Sequence, residues 1–221
     1  MNEISAGFCA GITQTIVGHP LDTIKVLIQN NKQFNKFKFI NFYKGWRYPM
    51  VMSTLFNATL FPVNEKLYSY TNNFFASGFI SGIIVSPIVY CFDIGKIKEQ
   101  TNQKIMFNTF YKTPGLFTTA MRESMAVSVY MGSYHVCKDK YNIDPFFAGG
   151  IAGILNWVFT YPLDVVRTRQ MAQDISIKEA FDQKNLWKGF NICILRAAIV
   201  NASIFKVYEI VKSQQKNYEL S

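Results

Sequence analysis

Apolar residues in this chain gather into long runs instead of alternating with polar ones. Ile4 to Gly18, Tyr48 to Asn64, Tyr68 to Phe92 and Pro145 to Leu163 contain no Asp, Glu, Lys or Arg. Each approaches or exceeds the roughly 20 residues that carry a helix across the hydrocarbon core of a bilayer. Thr113 to Tyr134 and Phe190 to Phe205 are apolar except at Arg122, Glu123 and Arg196. The pattern predicts an all-α membrane protein with six transmembrane helices, over about Ile4–Gln29, Gly45–Tyr70, Phe74–Gln100, Pro114–Lys138, Phe146–Met171 and Phe190–Lys212. Long polar connections (Asn30–Lys44, Thr101–Thr113, Ala172–Lys188) alternate with short turns at Thr71–Asn73 and Tyr141–Pro145. In the first long connection Lys32, Lys36 and Lys38 interleave with Phe34, Phe37 and Phe39, which predicts a short amphipathic helix on the membrane surface.

The runs repeat. Asp22, Asp93 and Asp164 stand 71 residues apart, and each is followed three positions on by a base: Lys25, Lys96 and Arg167. Three Gly-xxx-Gly pairs, Gly7 and Gly11, Gly78 and Gly82, Gly149 and Gly153, advance by the same interval and predict helix surfaces that approach closely in lipid. Pro20 and Pro162 hold equivalent positions where a helix is expected to kink; the middle copy has Cys91 there, with Pro87 one turn earlier. Trp187-Lys188-Gly189 echoes Tyr43-Lys44-Gly45 at the start of the following helix. The chain therefore divides into repeats 1–70, 71–141 and 142–221.

Composition narrows the partners. A net charge of +9 is dispersed over connections and helix ends, which fits lipid headgroups better than nucleic acid. The four cysteines, Cys9, Cys91, Cys137 and Cys193, stand singly with His19 and His135 as the only histidines, so neither a zinc site nor a disulfide framework is indicated. No nucleophile-base pair, metal cluster or phosphate loop points to an enzyme or a cofactor, and Met1 to Ser5 lacks the basic segment of a cleavable signal.

The triplicated Pro-x-acid-x-x-base motif, with Gly-xxx-Gly before it and aromatic-Lys-Gly after it, resembles the mitochondrial carrier family along essentially the whole chain. Departures are Cys91, the altered Tyr111-Lys112-Thr113-Pro114-Gly115 segment, the lack of an acidic-glycine motif in the connections, and a short chain. The resemblance implies six transmembrane helices in three pseudo-symmetric repeats around a central cavity, with short matrix-side surface helices. It further implies a multi-pass monomer of the mitochondrial inner membrane without a cleavable presequence, binding a small-molecule solute and cardiolipin at the helix starts near Gly45 and Gly189.

Charged groups inside membrane helices need partners or a wet cavity, because each costs about 2.5–3.5 kcal/mol on insertion scales. Acid and base three apart can pair within one helix. Three-fold symmetry offers the alternative Asp22 with Lys96, Asp93 with Arg167 and Asp164 with Lys25, a ring that the resemblance identifies as a matrix gate. Gln29 and Gln100, seven residues after Asp22 and Asp93, are candidate braces. At the other end the resemblance places a cytoplasmic gate, where Glu65 can pair with Lys138, while His135 faces Lys212 and Glu209 faces Tyr68. Midway, seven and eight residues after Gly45, Gly115 and Gly189, lie Met52 and Ser53, Arg122 and Glu123, and Arg196 and Ala197. The resemblance makes these the substrate contacts, with Trp157 as a further candidate. Two arginines against one glutamate favour an anionic metabolite, nucleotide-like, exchanged by alternating access. The adjacent Arg122–Glu123 pair instead suits an amino-acid or carnitine-like zwitterion, and a non-transporting scaffold or receptor on the same fold is the reading from another class.

Overall fold

The computed structural model describes residues 2–31, 42–103, 112–197, 199–200 and 203, with side chains from Ile16 onward except at Thr54, Asn57, residues 145–146 and 198. Its long helices are α1 (Asn2–Gln29), α2 (Arg47–Thr71), α3 (Phe74–Gln100), α4 (Leu116–His135) and α5 (Pro145–Gln173). A π-helical turn, Val136–Lys140, prolongs α4. The short α6 (Ile177–Asp182) follows, and α7 begins at residue 190 and is described to 197 and at 199–200. The described residues form no strand. The expected surface helix of the first long connection lies outside them, whereas the third connection does contain one, α6, started by a capping box between Ser176 and Glu179.

Length suffices for a crossing in α1, α2, α3 and α5, since 25 to 29 residues rise about 40 Å. Among the described residues, α3 alone also has the composition of a membrane span. Its N-terminal half is inside out apart from Val85: Ser77, Ser81 and Ser86 are buried while Phe79, Ile80, Ile83 and Ile84 are exposed, whereas the C-terminal half buries Val89, Tyr90, Ile94 and Ile97 along with Asp93. A soluble core helix would show the reverse, and the outward aliphatic surface is what a lipid environment accepts.

Helices adjacent in sequence pack side by side: α3 lies between α2 and α4, α4 packs against α5, and α1 touches α2, α3 and α5. Glycine sets the closest approach. A Cβ on Gly82 would sit 2.5 Å from the Glu123 carbonyl oxygen and the Ser124 Cα, and one on Gly78 would sit 2.9 Å from the Ser128 Cα. The middle Gly-xxx-Gly pair thus brings two backbones together, as expected. The third pair does not do so with any described residue: none lies within 4 Å of a Cβ on Gly149 or Gly153, and these glycines line a groove between α5 and α7. The first pair, Gly7 and Gly11, lies outside the described side chains.

Backbone geometry repeats with the sequence. Gly45, Gly115 and Gly189, which open α2, α4 and α7, all have positive φ (78°, 128° and 86°), a conformation open to glycine without strain. Asn31, Asn102 and Asp174, just past the ends of α1, α3 and α5, adopt φ of 56°, 58° and 55°, left-handed stops of the kind Asn and Asp tolerate. Pro20, Pro87 and Pro162 lie inside α1, α3 and α5, and α3 continues through Cys91.

The two glycine pairs respond oppositely to a methyl group. Gly82→Ala forces α3 and α4 apart and costs about 1–3 kcal/mol. Gly153→Ala meets no described neighbour and gains helix propensity of up to about 1 kcal/mol. Thermal unfolding of the detergent-solubilised variants should therefore fall for Gly82→Ala and hold or rise for Gly153→Ala; equal shifts would contradict the packing.

Candidate functional site

The C-terminal halves of α1, α3 and α5 bring their acid-base pairs together. Lys25 Nζ lies 2.6 Å from Asp164 Oδ2, Lys96 Nζ lies 2.9 Å from Asp22 Oδ2, and Arg167 Nη1 lies 2.7 Å from Asp93 Oδ2. These are the three cross-helix pairs expected from symmetry. Of the pairings within one helix, Arg167 Nη2 with Asp164 Oδ1 at 3.0 Å also forms, so Arg167 serves both schemes. The ring is tight, and the space left among Asp22, Lys25, Asp93, Lys96, Asp164 and Arg167 is about 50 Å³.

The residues expected to contact substrate are drawn into the same ionic assembly. Arg196 Nε approaches Asp22 Oδ1 to 2.5 Å, and Arg122 Nη1 approaches Glu123 Oε1 to 2.5 Å. Arg122 Nε stands 3.8 Å from Asp164 Oδ1, and Arg167 Nη1 stands 3.3 Å from Glu123 Oε1. The ion pairs fall into two groups. Lys25, Arg122 and Arg167 meet Asp93, Glu123 and Asp164 in a balanced six, while Asp22 stands between Lys96 and Arg196 with one positive charge in excess. Trp157 offers its ring to two of these cations: Lys25 Nζ is 4.7 Å and Arg122 Cζ 5.6 Å from its centroid, within cation–π range. Met52 is half-buried on α2, Ser53 donates to the Met50 carbonyl at 3.1 Å, and Ala197 lines the groove beside α5. None of these three joins the ionic groups.

Gln29 and Gln100 are fully buried, yet their bonds reach side chains beside the ion pairs and not the charges. Gln29 Nε2 donates to the Tyr161 hydroxyl at 3.4 Å, and Gln100 Nε2 donates to Thr23 Oγ1 at 3.0 Å. Each still ties one odd-numbered helix to another. The amides thus tie the helices together beside the ion pairs, and neither bonds a charged group directly.

Two further three-fold sets escaped the sequence reading. The residue before each proline position, His19, Tyr90 and Tyr161, bonds a backbone carbonyl just before α2, α4 and α7 in turn: His19 Nε2 with Lys44 O at 2.8 Å, the Tyr90 hydroxyl with Thr113 O, and the Tyr161 hydroxyl with Lys188 O at 3.0 Å. They too are spaced by 71, and that spacing was the available signal. Lysines also meet the left-handed residues ending the odd-numbered helices of neighbouring repeats: Lys44 with Asn102, Lys98 with Asp174, and Lys188 with Asn31. Arg169, fully buried, donates to the carbonyls of Gln29, Ala180, Lys184 and Asn185, satisfying helix-end acceptors that lack partners in their own helices.

The opposite end is differently made. Glu65 and Lys138, expected to pair, form no ion pair; Glu65 is exposed, and Lys138 Nζ lies 6.0 Å above the Tyr134 ring. The π turn at Val136–Lys140 re-aims the end of α4. His135 Nδ1 bonds Asp139 at 3.0 Å, and its ring stacks on Phe74, which stacks on Tyr68. Glu209 and Lys212 lie outside the described residues.

A bundle of long helices with a lipid-compatible exterior, joined at one end by a buried ionic ring, is the build of a solute-translocating membrane protein. A family model described as mitochondrial carrier protein matches residues 1–41 and 138–219, more than half of the chain. The chain belongs to the mitochondrial carrier family, whose members are transporters, and it is not an enzyme. Mitochondrial substrate carrier family protein L of Dictyostelium discoideum is 26% identical, with 93% of this chain and 92% of that protein aligned. The mitochondrial arginine transporter BAC2 of Arabidopsis thaliana is 26% identical over 94% of this chain and 89% of its own length, and the mitochondrial carnitine carrier of Saccharomyces cerevisiae 26% over 96% and 87%. The first of these alignments runs over 266 positions against a chain of 221 residues, so this chain lacks internal residues that its relative has.

Asp164 answers to Lys25, Arg122 and Arg167, whereas Asp93 answers to Arg167 alone, and Arg167 keeps Asp164 and Glu123 if Asp93 is lost. Breaking a buried pair from one side costs about 3–5 kcal/mol. Asp164→Asn should show a loss of that order in thermal unfolding and Asp93→Asn clearly less; equal losses would count against the shared role of Asp164.

Proposed function

We propose that this chain exchanges a small amino-acid-like zwitterion across the mitochondrial inner membrane by alternating access. In this reading six membrane helices, in repeats 1–70, 71–141 and 142–221, surround the path. The ring of Asp22, Lys25, Asp93, Lys96, Asp164 and Arg167 is the matrix gate, drawn closed, and the end bearing Glu65 and Lys138 is the open one. Cardiolipin at the helix starts near Gly45 and Gly189 would steady the closed ring from outside.

The observation that carries the choice of substrate class is the charge balance. Two arginines suggested a nucleotide-like anion, but Arg122 is already neutralised by Glu123 and Asp164. The one surplus positive charge sits beside Arg196, which shares Asp22 with Lys96. A single carboxylate matches that surplus, whereas a polyphosphate would leave several charges uncompensated in a confined space. A ligand ammonium has Glu123 and the face of Trp157 to meet. Relatives named as arginine and carnitine carriers fit the same class.

A ligand shifts a two-state equilibrium only by its differential affinity for the two states. Here a carboxylate taking Arg196 from Asp22, with an ammonium taking Glu123 from Arg167, would weaken the ring from both ionic groups and favour opening.

Uptake into liposomes reconstituted with the purified protein separates the classes. Basic or trimethylated amino acids should exchange, while nucleotides should not. Arg196→Ala and Glu123→Gln should each lower the exchange rate at least about 100-fold, the scale of losing a charge-assisted contact worth about 3 kcal/mol. Nucleotide exchange that tolerates Glu123→Gln would refute the zwitterion reading and restore the anion.

A further inference from the structure

At the end of the bundle away from the ionic ring, α2, the start of α3 and α4 enclose a cavity of about 500 Å³. Its wall is aromatic: Phe61 and Tyr68 from α2, Phe74 from α3, and Tyr130 and Tyr134 from α4. Among the described residues Glu65 is the one acidic residue of the lining, and no described Lys or Arg belongs to it. The rest of the lining is Asn64, Met131 and His135, the last already bonded to Asp139. Although the chain has a net charge of +9, five aromatic rings and one carboxylate among the described lining residues favour a cation as ligand.

We propose that this chamber is a docking site for an organic cation, of alkylammonium or guanidinium type, and that it receives the cationic end of the solute before the central site does. The solute part of this assignment rests on the zwitterion reading; the cation site itself does not. Aromatic faces attract a cation through their quadrupole, most strongly where water is partly excluded. The wall already shows this chemistry on its rim, since Lys138 Nζ stands over the Tyr134 ring. Lys138 is also the residue that would otherwise neutralise Glu65; with the two apart, the carboxylate faces the chamber without an ionic partner among the described residues. Both faces of Phe74 are taken, by Tyr68 and His135, which leaves Phe61, Tyr130 and Tyr134 with Glu65 as the receiving surface.

Position gives the site its use. Phe61, Tyr130 and Met131 also line a second cavity of about 360 Å³ that reaches Arg122 and Glu123. A cation released from Glu65 therefore passes along the same rings to the next carboxylate of the path, Glu123. The ligand moves between two anionic stations joined by aromatic surface, and its charge is never left bare.

Choline and the uncharged alcohol in which carbon replaces its nitrogen have the same shape and differ in charge, so binding of each to the purified full-length protein, followed by calorimetry, isolates the cation term. Choline should bind at least about 10-fold more tightly than the alcohol, as a contact between a cation and aromatic faces implies. Glu65→Gln and Tyr130→Leu should each weaken choline about 5- to 10-fold, more than Glu123→Gln does, while Tyr130→Phe, which keeps the ring, should retain the wild-type affinity. Equal binding of the two probes, no choline binding, or undiminished binding in both Glu65→Gln and Tyr130→Leu overturns the assignment. A greater loss of choline in Glu123→Gln than in Glu65→Gln overturns it too, by moving the cation to the central site. Because transport is not read, a wrong solute class would leave this result standing, and a wrong chamber would leave the exchange assay standing.

Discussion

A buried carboxylate is costly unless a cation stands beside it, and four gather at one end of this bundle: Asp22, Asp93, Glu123 and Asp164. Each is held by at least one cation within 3 Å, and meeting that condition dictates how α1, α3 and α5 must converge. The remaining devices serve the convergence. His19, Tyr90 and Tyr161 pin α1, α3 and α5 to the residues just before α2, α4 and α7 in turn, and positive-φ residues stop or open the helices at matching depths. Lysines on one repeat meet the helix ends of another. Individually these contacts are small. Together they fix the separation of the helices to within the tolerance of an ion pair, and beyond that tolerance a buried charge becomes a liability.

How much of this could be read beforehand depended on whether symmetry supplied what local pattern did not. The cross-helix pairs were legible because three copies in register turn an i, i+3 acid and base into a closed ring, and the observed pairs are the ones the ring requires. The pins were hidden by chemistry: His19, Tyr90 and Tyr161 differ in residue type and share only a hydrogen-bonding function. Depth was hidden as well. Counting from the opening glycines puts Arg122, Glu123 and Arg196 at one level, but not close enough to Asp22, Asp164 and Arg167 to join their ion pairs, since long side chains reach further than register can tell. Glu65 and Lys138, which can pair across the opposite end, stand apart here, and no spacing in the sequence announces the π turn that contains Lys138.

The middle repeat shows what the architecture tolerates. The family model matches on either side of residues 42–137 and not within them, and there the proline position holds Cys91 and the aromatic-Lys-Gly segment is altered. Even so, Asp93 and Lys96 take their places in the ring, Gly115 has positive φ, and Gly78 and Gly82 make the tightest helix approach. Lys98 from α3 meets the left-handed Asp174, whereas in the other two repeats the lysine before the opening glycine plays that part. Selection on the position of a charge leaves the surrounding sequence free to change so long as a cation arrives at the same point.

The third repeat carries the heaviest electrostatic duty, and this asymmetry bears on how the ring can open. Asp164 and Arg167 each meet several partners across α1, α3 and α4, while Asp22 is shared only between Lys96 and Arg196. The balanced six can exchange partners internally, because any cation leaving Asp164 has Glu123 or Asp93 nearby. The group of three cannot: if Arg196 turns away from Asp22, it needs an anion from elsewhere. On the proposed reading such a ring resists opening at its crowded side and carries one surplus positive charge, shared by Lys96 and Arg196 over Asp22, at its sparse side. Its cheapest disturbance is an incoming carboxylate at Arg196, because that exchange replaces one anion by another and never leaves a charge alone. Specificity and gating would then arise from the same imbalance of one charge.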